Sequence, residues 1–561
     1  MKKLCIAGLG MIAMSAAPVF AQTEAAATPA APVTQQEQAS GGAAEGCAAG
    51  SANRSFSERF ASSYKDYLAW NGDPADAAPT WREGYAPPPE SSPPFPFTAW
   101  PIGGTEVIGY DNQYYGPLME ALWCGSNGKA WKDSRVTVYG WANAGFNRST
   151  SHTGYNGANG TGGNFPAAYA YQGNTAQMDQ VALYVERTPD VVQKDHFDWG
   201  FRLAGVWGTD TKYTFSRGLF SNQFSNANNK IQKYGYDIPM AYIEGYFPGV
   251  ADGMILRVGR YISIPDIEAQ LAPNNYTYTH SLLYTYDPFT QEGAIATIRL
   301  NKNWTVQAGV HAGNDVAPWY RRSVPATYTN AAGAEVPNPN AGKQYGAQLS
   351  GTACVQWTSD SGNDAIYPCM NGINSGNFGW NNLQQQVVTW YHKFNDQWHM
   401  SSEAYYMQQK NTPNMSNPDG PGVWNSYFGS SNSVGGPFGA MGGRGCGPND
   451  GVTCTSKEWA FVNYISYQPT PRDYFIFRTD ILNDINGQRT GFATRYKEFT
   501  LSWNHWLGKA ITLRPEIRHE SAGVPAFDNP CPVAGTAGCG NVVTPGSKSQ
   551  TMFAMDVIVH F

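Results

Sequence analysis

From residue 135 to the end, short stretches alternate apolar and polar side chains one by one. In DWGFRLAGVWG, Trp199, Phe201, Leu203 and Trp207 share one set of alternate positions, and Gly200, Arg202, Ala204 and Gly208 share the other. NWTVQAGVHAG sets Trp304, Val306, Ala308 and Val310 against Thr305, Gln307, Gly309 and His311. DYFIFRTDIL opposes Phe475, Phe477 and Ile481 to Arg478 and Asp480; ITLRPEIRHE opposes Ile511, Leu513 and Ile517 to Arg514, Glu516, Arg518 and Glu520. The last residues, TMFAMDVIVHF, place Phe553, Met555, Val557 and Val559 opposite Ala554, Asp556, Ile558 and His560. A period of two is that of a strand, whose successive side chains point to opposite faces. Pro515 is awkward, since it cannot donate to a ladder, and a local distortion is predicted there.

Strand-like segments begin near Val136, Met178, Asp198, Met240, Gly253, Gln291, Trp304, Leu349, Asp364, Gln384, Trp398, Glu458, Tyr474, Lys497, Ile511 and Thr551, about sixteen in all, with fourteen or eighteen also open. The connections between them alternate in length. NKN, NDQ, QPTPRD and GKA are short, whereas 147–177, 209–238, 262–290, 312–348, 410–457 and 521–550 are long. Tight turns at one end and long loops at the other are the pattern of a bacterial outer-membrane barrel. One such strand alone would read as half-buried in a soluble sandwich; the repetition decides for the barrel. Because hydrocarbon offers no water to a sheet edge, the sheet must close, so the last strand is expected to pair with the first. The predicted fold is an all-β, antiparallel, up-and-down transmembrane barrel, its apolar face on lipid and the ring of Phe561 at the interface.

Composition agrees. Charged residues are 14% of the chain, against roughly 25% in ordinary globular proteins, while aromatics reach 14% and glycines number 61. MKKLCIAGLGMIAMSAAPVFAQ has the form of an export signal ending at Ala21. No other stretch is long and apolar enough for a membrane helix, in keeping with a mean hydropathy of -0.42. Residues 22–134 form a separate leader, predicted to be disordered in its Ala/Gln/Ser/Gly-rich opening and extended through APPPESSPPFPF. The net charge of -6 and the absence of any Lys/Arg run exclude nucleic acid as a partner. Eight cysteines outside the signal fall in local pairs, Cys47/Cys124, Cys354/Cys369, Cys446/Cys454 and Cys531/Cys539, and in an exported chain read as disulfides. Proximity suggests this pairing; spacing alone does not determine it. Cys354 and Cys369 lie symmetrically about the turn near Ser361, as a bridge between neighbouring strands would require.

Three stretches resemble the OmpL-like β-barrel porin family: YGWANAGFNRSTS at 139–151, VGRYISIPDIEAQLAPNNYTYTHSLLYTYDPFTQEGAIATIRL at 258–300 and LRPEIRHE at 513–520. The resemblance spans residue 135 to the end and covers the leader weakly. It implies an outer-membrane pore without catalytic residues.

A barrel of about sixteen strands can leave an aqueous channel, so the expected function is passive diffusion of small hydrophilic solutes. A solute-specific channel is the alternative, with a barrel enzyme or a surface-binding protein behind it. Inward charges of both signs, Arg202, Arg257, Arg299, Arg478, Arg514 and Arg518 against Glu244, Glu403, Asp480 and Glu516, are candidates for the pore lining. In a blander reading, those near Arg514 pair across strands and satisfy one another. The third long loop, 262–290, is the candidate to fold inward and narrow the lumen, with Asp266, Glu268 and Asp287 among Tyr276, Tyr278, Tyr284 and Tyr286. Most other aromatics are expected in girdles at the two interfaces. No G-x-S-x-G, H-E-x-x-H or C-x-x-C motif is present, so no catalytic, metal or cofactor site is expected. The partners expected are outer-membrane lipid and small solutes, with a homotrimer by analogy with general porins.

Overall fold

The computed structural model describes residues 47, 50–71, 82–85, 107–110, 116–154, 163–167, 169–224, 233–262, 266–379, 382–428, 445–529 and 546–561. The export signal, APPPESSPPFPF, and Cys531 with Cys539 lie outside them. The strands are β1 (Val136–Ser149), β2 (Ala176–Arg187), β3 (Asp198–Gly208), β4 (Gly235–Phe247), β5 (Met254–Ile262), β6 (Thr290–Arg299), β7 (Trp304–Asn314), β8 (Thr327–Thr329), β9 (Glu335–Pro337), β10 (Ser350–Thr358), β11 (Asp364–Ile373), β12 (Gln384–Lys393), β13 (Trp398–Pro413), β14 (Thr453–Thr470), β15 (Asp473–Asp484), β16 (Thr494–Leu507), β17 (Ile511–Ala522) and β18 (Ser549–His560). The hairpin β8–β9 belongs to an outer loop. The other sixteen strands close a barrel, each antiparallel to its chain neighbours, with β18 completing the ring against β1. Beyond the last rung, Phe561 and Gly140 exchange both backbone hydrogen bonds at 2.9 Å.

Each predicted segment is a barrel strand, and the two faces separate as the alternation requires. Trp199, Leu203 and Trp207 are exposed on the outside, whereas Arg202 and Ala204 are buried inside. Two corrections concern the edges of this pattern. β4 and β14 start five residues before the segments read from sequence, at Gly235 and Thr453. Ladder bonding continues past the membrane, whereas apolar alternation is needed only where lipid is met. Pro515 shifts no register: pairing runs Ser502↔Glu516, then His505↔Leu513, and only the rungs at Trp503 and Asn504 drop out.

Most of the aromatics divide by type, although Trp141 and Trp506 are buried inside and Tyr236 is exposed outside. Trp304, Trp390, Trp503, Phe475, Phe477 and Phe499 face outward, but Tyr184, Tyr367, Tyr391, Tyr405, Tyr464 and Tyr496 are buried on the inner face, not in a girdle. A phenol can hydrogen-bond inside a polar lumen; an indole or phenyl ring gains more from lipid.

The leader is more ordered than its composition suggests. Ser55 and Glu58 form a capping box that starts α1 (Phe56–Ala69), and α2 (Pro117–Trp123) and α3 (Gly128–Ser134) follow. These pieces are fastened to the short-turn end of the barrel. Tyr67 O accepts the Lys509 N–H at 2.8 Å in the β16–β17 turn. Arg82 donates to Val191 O at 2.8 Å, Val192 O at 3.1 Å, Asp252 O at 2.5 Å and the Tyr246 hydroxyl at 2.7 Å. Disulfides join Cys47 to Cys124, Cys354 to Cys369 and Cys446 to Cys454. The second links residues directly opposite on β10 and β11.

Candidate functional site

The segment after β5 does not stay outside. From Asp266 to Thr290 every residue except Ala269 is buried, and its backbone bonds to inward-facing side chains around the wall. On β13, Glu403 accepts the Ile267 N–H at 2.9 Å and Ser401 shares a hydrogen bond with the Tyr276 hydroxyl at 2.8 Å. On β15, Arg478 donates to Thr277 Oγ1 at 2.7 Å and Thr279 O at 2.5 Å, and Asp480 accepts the Leu282 N–H. Asn504 of β16 donates to Tyr276 O at 2.7 Å. On β17, Arg514 donates to Ala272 O at 2.8 Å and Asn275 O at 2.9 Å, Glu516 accepts the Thr279 N–H at 3.2 Å, and Arg518 donates to His280 O at 2.5 Å. Gln180 of β2 holds the Gln270 carbonyl at 2.7 Å and the Ala272 N–H at 3.0 Å. The loop therefore crosses the lumen and is seated on strands far apart in the ring.

Local sequence explains how a loop can do this. Its backbone groups would be orphans in a dry interior, and charged side chains are the strongest partners available to them. Ser281 caps the short helix α4 (Leu282–Tyr286) by accepting the Tyr284 N–H at 3.0 Å. Gly145 of β1 leaves room for close approach: a Cβ there would lie 2.0 Å from the Tyr278 hydroxyl. The outer loops pack on top, with the Tyr169 ring 3.6 Å from His280 and 4.1 Å from Tyr213.

The ten candidate wall charges are all buried, between 0 and 7% exposed. Arg202 pairs with Glu186 at 2.5 Å and Arg257 with Glu244 at 3.0 Å. Arg299, near the short-turn end, donates to Asn301 O at 2.8 Å and lies 4.8 Å from the Tyr85 ring of the leader. Glu403, Arg478, Asp480, Arg514, Glu516 and Arg518 meet the loop. Three of these also hold a carboxylate on the wall: Arg478 binds Glu498 at 2.9 Å, Arg514 binds Asp556 at 2.5 Å and Arg518 binds Glu520 at 2.7 Å. Glu186, Glu498, Gln180 and Asn504 were not singled out from sequence. Period two could have found Glu498, which shares the inner face of β16 with Thr500, Ser502 and Asn504.

Among the loop carboxylates, Glu268 accepts the Ser281 N–H at 3.1 Å. Burial, with Glu268 and Asp315 nearby, pushes the Asp266 carboxyl up to about 7. Asp287 is held well above the usual carboxylate range by burial and then by Asp266. Both lie beside Glu403: one oxygen from each of the three carboxylates falls within 4.8 Å of the other two.

A closed barrel with an apolar outside, a charged inside and a loop drawn through it defines a membrane pore of the outer-membrane type. Residues 135–561 match the family described as Putative beta-barrel porin-2, OmpL-like, and the chain belongs to that family, a porin of the bacterial outer membrane. No curated protein matches it. Among solved structures it is similar to the anion-selective porin from Comamonas acidovorans, with 9% identity, a TM-score of 0.42, and coverage of 76% of this chain and 99% of that one. It is also similar to the outer membrane channel DcaP of Acinetobacter baumannii, with 11% identity, a TM-score of 0.41, and coverage of 76% and 97% respectively. Likeness this distant transfers nothing about solutes or selectivity.

Proposed function

We propose that this porin is a narrow diffusion channel whose bore is set by the third long loop, with small hydrophilic solutes passing between the loop and the wall. The observation that carries the proposal is the burial of 266–290 against β2, β13 and β15–β17. Wall arginines and carboxylates of both signs ring the loop, with Arg478 near the loop's Glu268, and opposed charges around a confined aqueous path favour polar solutes over apolar ones. No catalytic role is assigned, and a homotrimer belongs to the same proposal, to be tested by cross-linking in the membrane.

The decisive experiment is single-channel conductance in a planar bilayer, with the reversal potential under a salt gradient. Small, defined steps are expected from the full chain, and several-fold larger ones when residues 270–283 are replaced by a short Gly/Ser linker. Silence from both forms, each shown to be folded, would refute a channel. A second reading, a channel specific for ring-shaped solutes, is favoured by the inner-face stack of Tyr139 on Tyr184 at 4.9 Å, with Trp141 at 5.3 Å from the latter. Saturable block of current by a sugar or aromatic acid would select it.

A further inference from the structure

Three carboxylates that are distant in sequence meet inside the barrel. Asp266 stands near the start of the third loop, Asp287 at its end, and Glu403 on the inner face of β13. In the wall, β7, β10, β11 and β12 separate β13 from β6, the strand into which the loop runs. The three residues are 4, 0 and 1% exposed. Both oxygens of Asp266 and both of Asp287 meet no hydrogen-bond donor, the two carboxyls finding only each other; Glu403 Oε1 has no partner either.

Several other buried carboxylates of this lumen are answered by arginine, Glu186 by Arg202, Glu244 by Arg257, Glu498 by Arg478 and Asp556 by Arg514. The neighbouring Asp179 and Asp210, which have no arginine among the described residues, accept from the Gln177 and Gln180 amides at 2.6 and 2.9 Å. Beside this trio stand further carboxylates, Glu268 near all three and Asp315 near Asp266; the cations in the region are engaged elsewhere, Arg478 with Glu498 at 2.9 Å and Arg489 with Tyr286 O at 2.7 Å. Two buried neutral oxygens join the trio from β12. The Thr389 and Tyr391 hydroxyls reach no partner beyond each other. Thr389 lies directly across the ladder from Glu403, and Tyr391 is close enough to Glu403 and Asp266 to feel both charges.

Uncompensated negative charge in a dry interior must be neutralised by protons or by a cation. The donor set is all oxygen, which suits a hard cation and not zinc or copper. Calcium takes six to eight oxygens at about 2.3–2.6 Å, with carboxylates in one- or two-toothed modes, and tolerates irregular geometry. We propose that Asp266, Asp287 and Glu403 bind one divalent cation of the calcium class, which clasps both ends of the third loop to the wall at β13.

The test uses the full chain folded in detergent, stripped with EDTA and titrated with terbium, whose luminescence tyrosines such as Tyr391 would sensitise. One terbium per chain, displaced by calcium and lost in Asp266→Asn/Asp287→Asn, is the expected result. Heat-modifiable migration on gels reports folding. Should that double variant fail to fold, Glu403→Gln takes its place, and the melting temperature of the wild-type chain gives a second readout: calcium should raise it, and not in Glu403→Gln. Absence of saturable terbium binding, binding undiminished in a folded variant, or a melting temperature indifferent to calcium would each overturn the proposal, leaving protons as what neutralises the trio. None of these readouts needs current, so a silent barrel that binds terbium would refute the channel and keep the site.

Discussion

Along β2 to β5, Arg202 holds Glu186 and Arg257 holds Glu244 at 3.0 Å, each pair lying across a single ladder. Along β15 to β17, Arg478, Arg514 and Arg518 also own carboxylates, yet each extends a further nitrogen to the loop backbone. The two arcs of wall carry the same residue types on the same face. What differs is whether a loop covers them: on one arc charge satisfies charge, and on the other it replaces the water that a loop backbone has given up. An inward arginine is therefore not by itself a pore-lining residue.

The comparison breaks most readily at Arg478. Arg478→Ala takes from Glu498 its nearest cation and from Thr277 and Thr279 the guanidinium that holds them. Breaking a buried pair from one side costs about 3–5 kcal/mol, a loss expected in urea unfolding together with larger current steps in the folded fraction. A stability loss without any change of current would mean that the loop is held elsewhere. Gly145→Ala comes next. Its added methyl group meets the Tyr278 hydroxyl and the Asp179 carboxylate, and overpacking of this kind costs about 1–3 kcal/mol; the conductance should shift while the barrel stays folded. The smallest effect is expected at the wall pairs that make no bond to the loop. Replacing Arg257 by Met together with Glu244 by Leu removes a buried pair whole, which is often near neutral in stability, and current and selectivity should be unchanged. A changed reversal potential in that double variant would show that this arc, too, faces the permeating solute.

The strands were legible because a membrane barrel imposes period two on nearly every residue it spans; the apolar positions around Leu203 and Phe477 could hardly be read otherwise. The inward turn of 262–290 could be anticipated from its carboxylates and tyrosines and from its place as the third long loop, by analogy with general porins. Register was not. That Arg514 would face Asp556, or that Glu403 would lie beside Asp266 and Asp287, depends on the offset between paired strands and on how far the loop reaches across. α1 was legible and passed over: Ser55 with Glu58 three residues on is a helix start that the surrounding Ala, Pro and Ser obscured. The tyrosines were misplaced for a different reason, since the same ring fits an interface or a hydrogen-bonded interior and only the parity of its position distinguishes the two.

The guanidinium of Arg82 ties the β2–β3 connection to the β4–β5 turn through four carbonyls and a phenol. Hairpin ends ordinarily fray one at a time, each with its own small opening energy. With a shared rivet they must open together, so amide protons at Gly109 and Asp252, bonded to Val191 O and Arg299 O, should exchange with solvent at one common rate. The short-turn rim there is expected to open as a single cooperative unit built from segments of the chain that are remote in sequence.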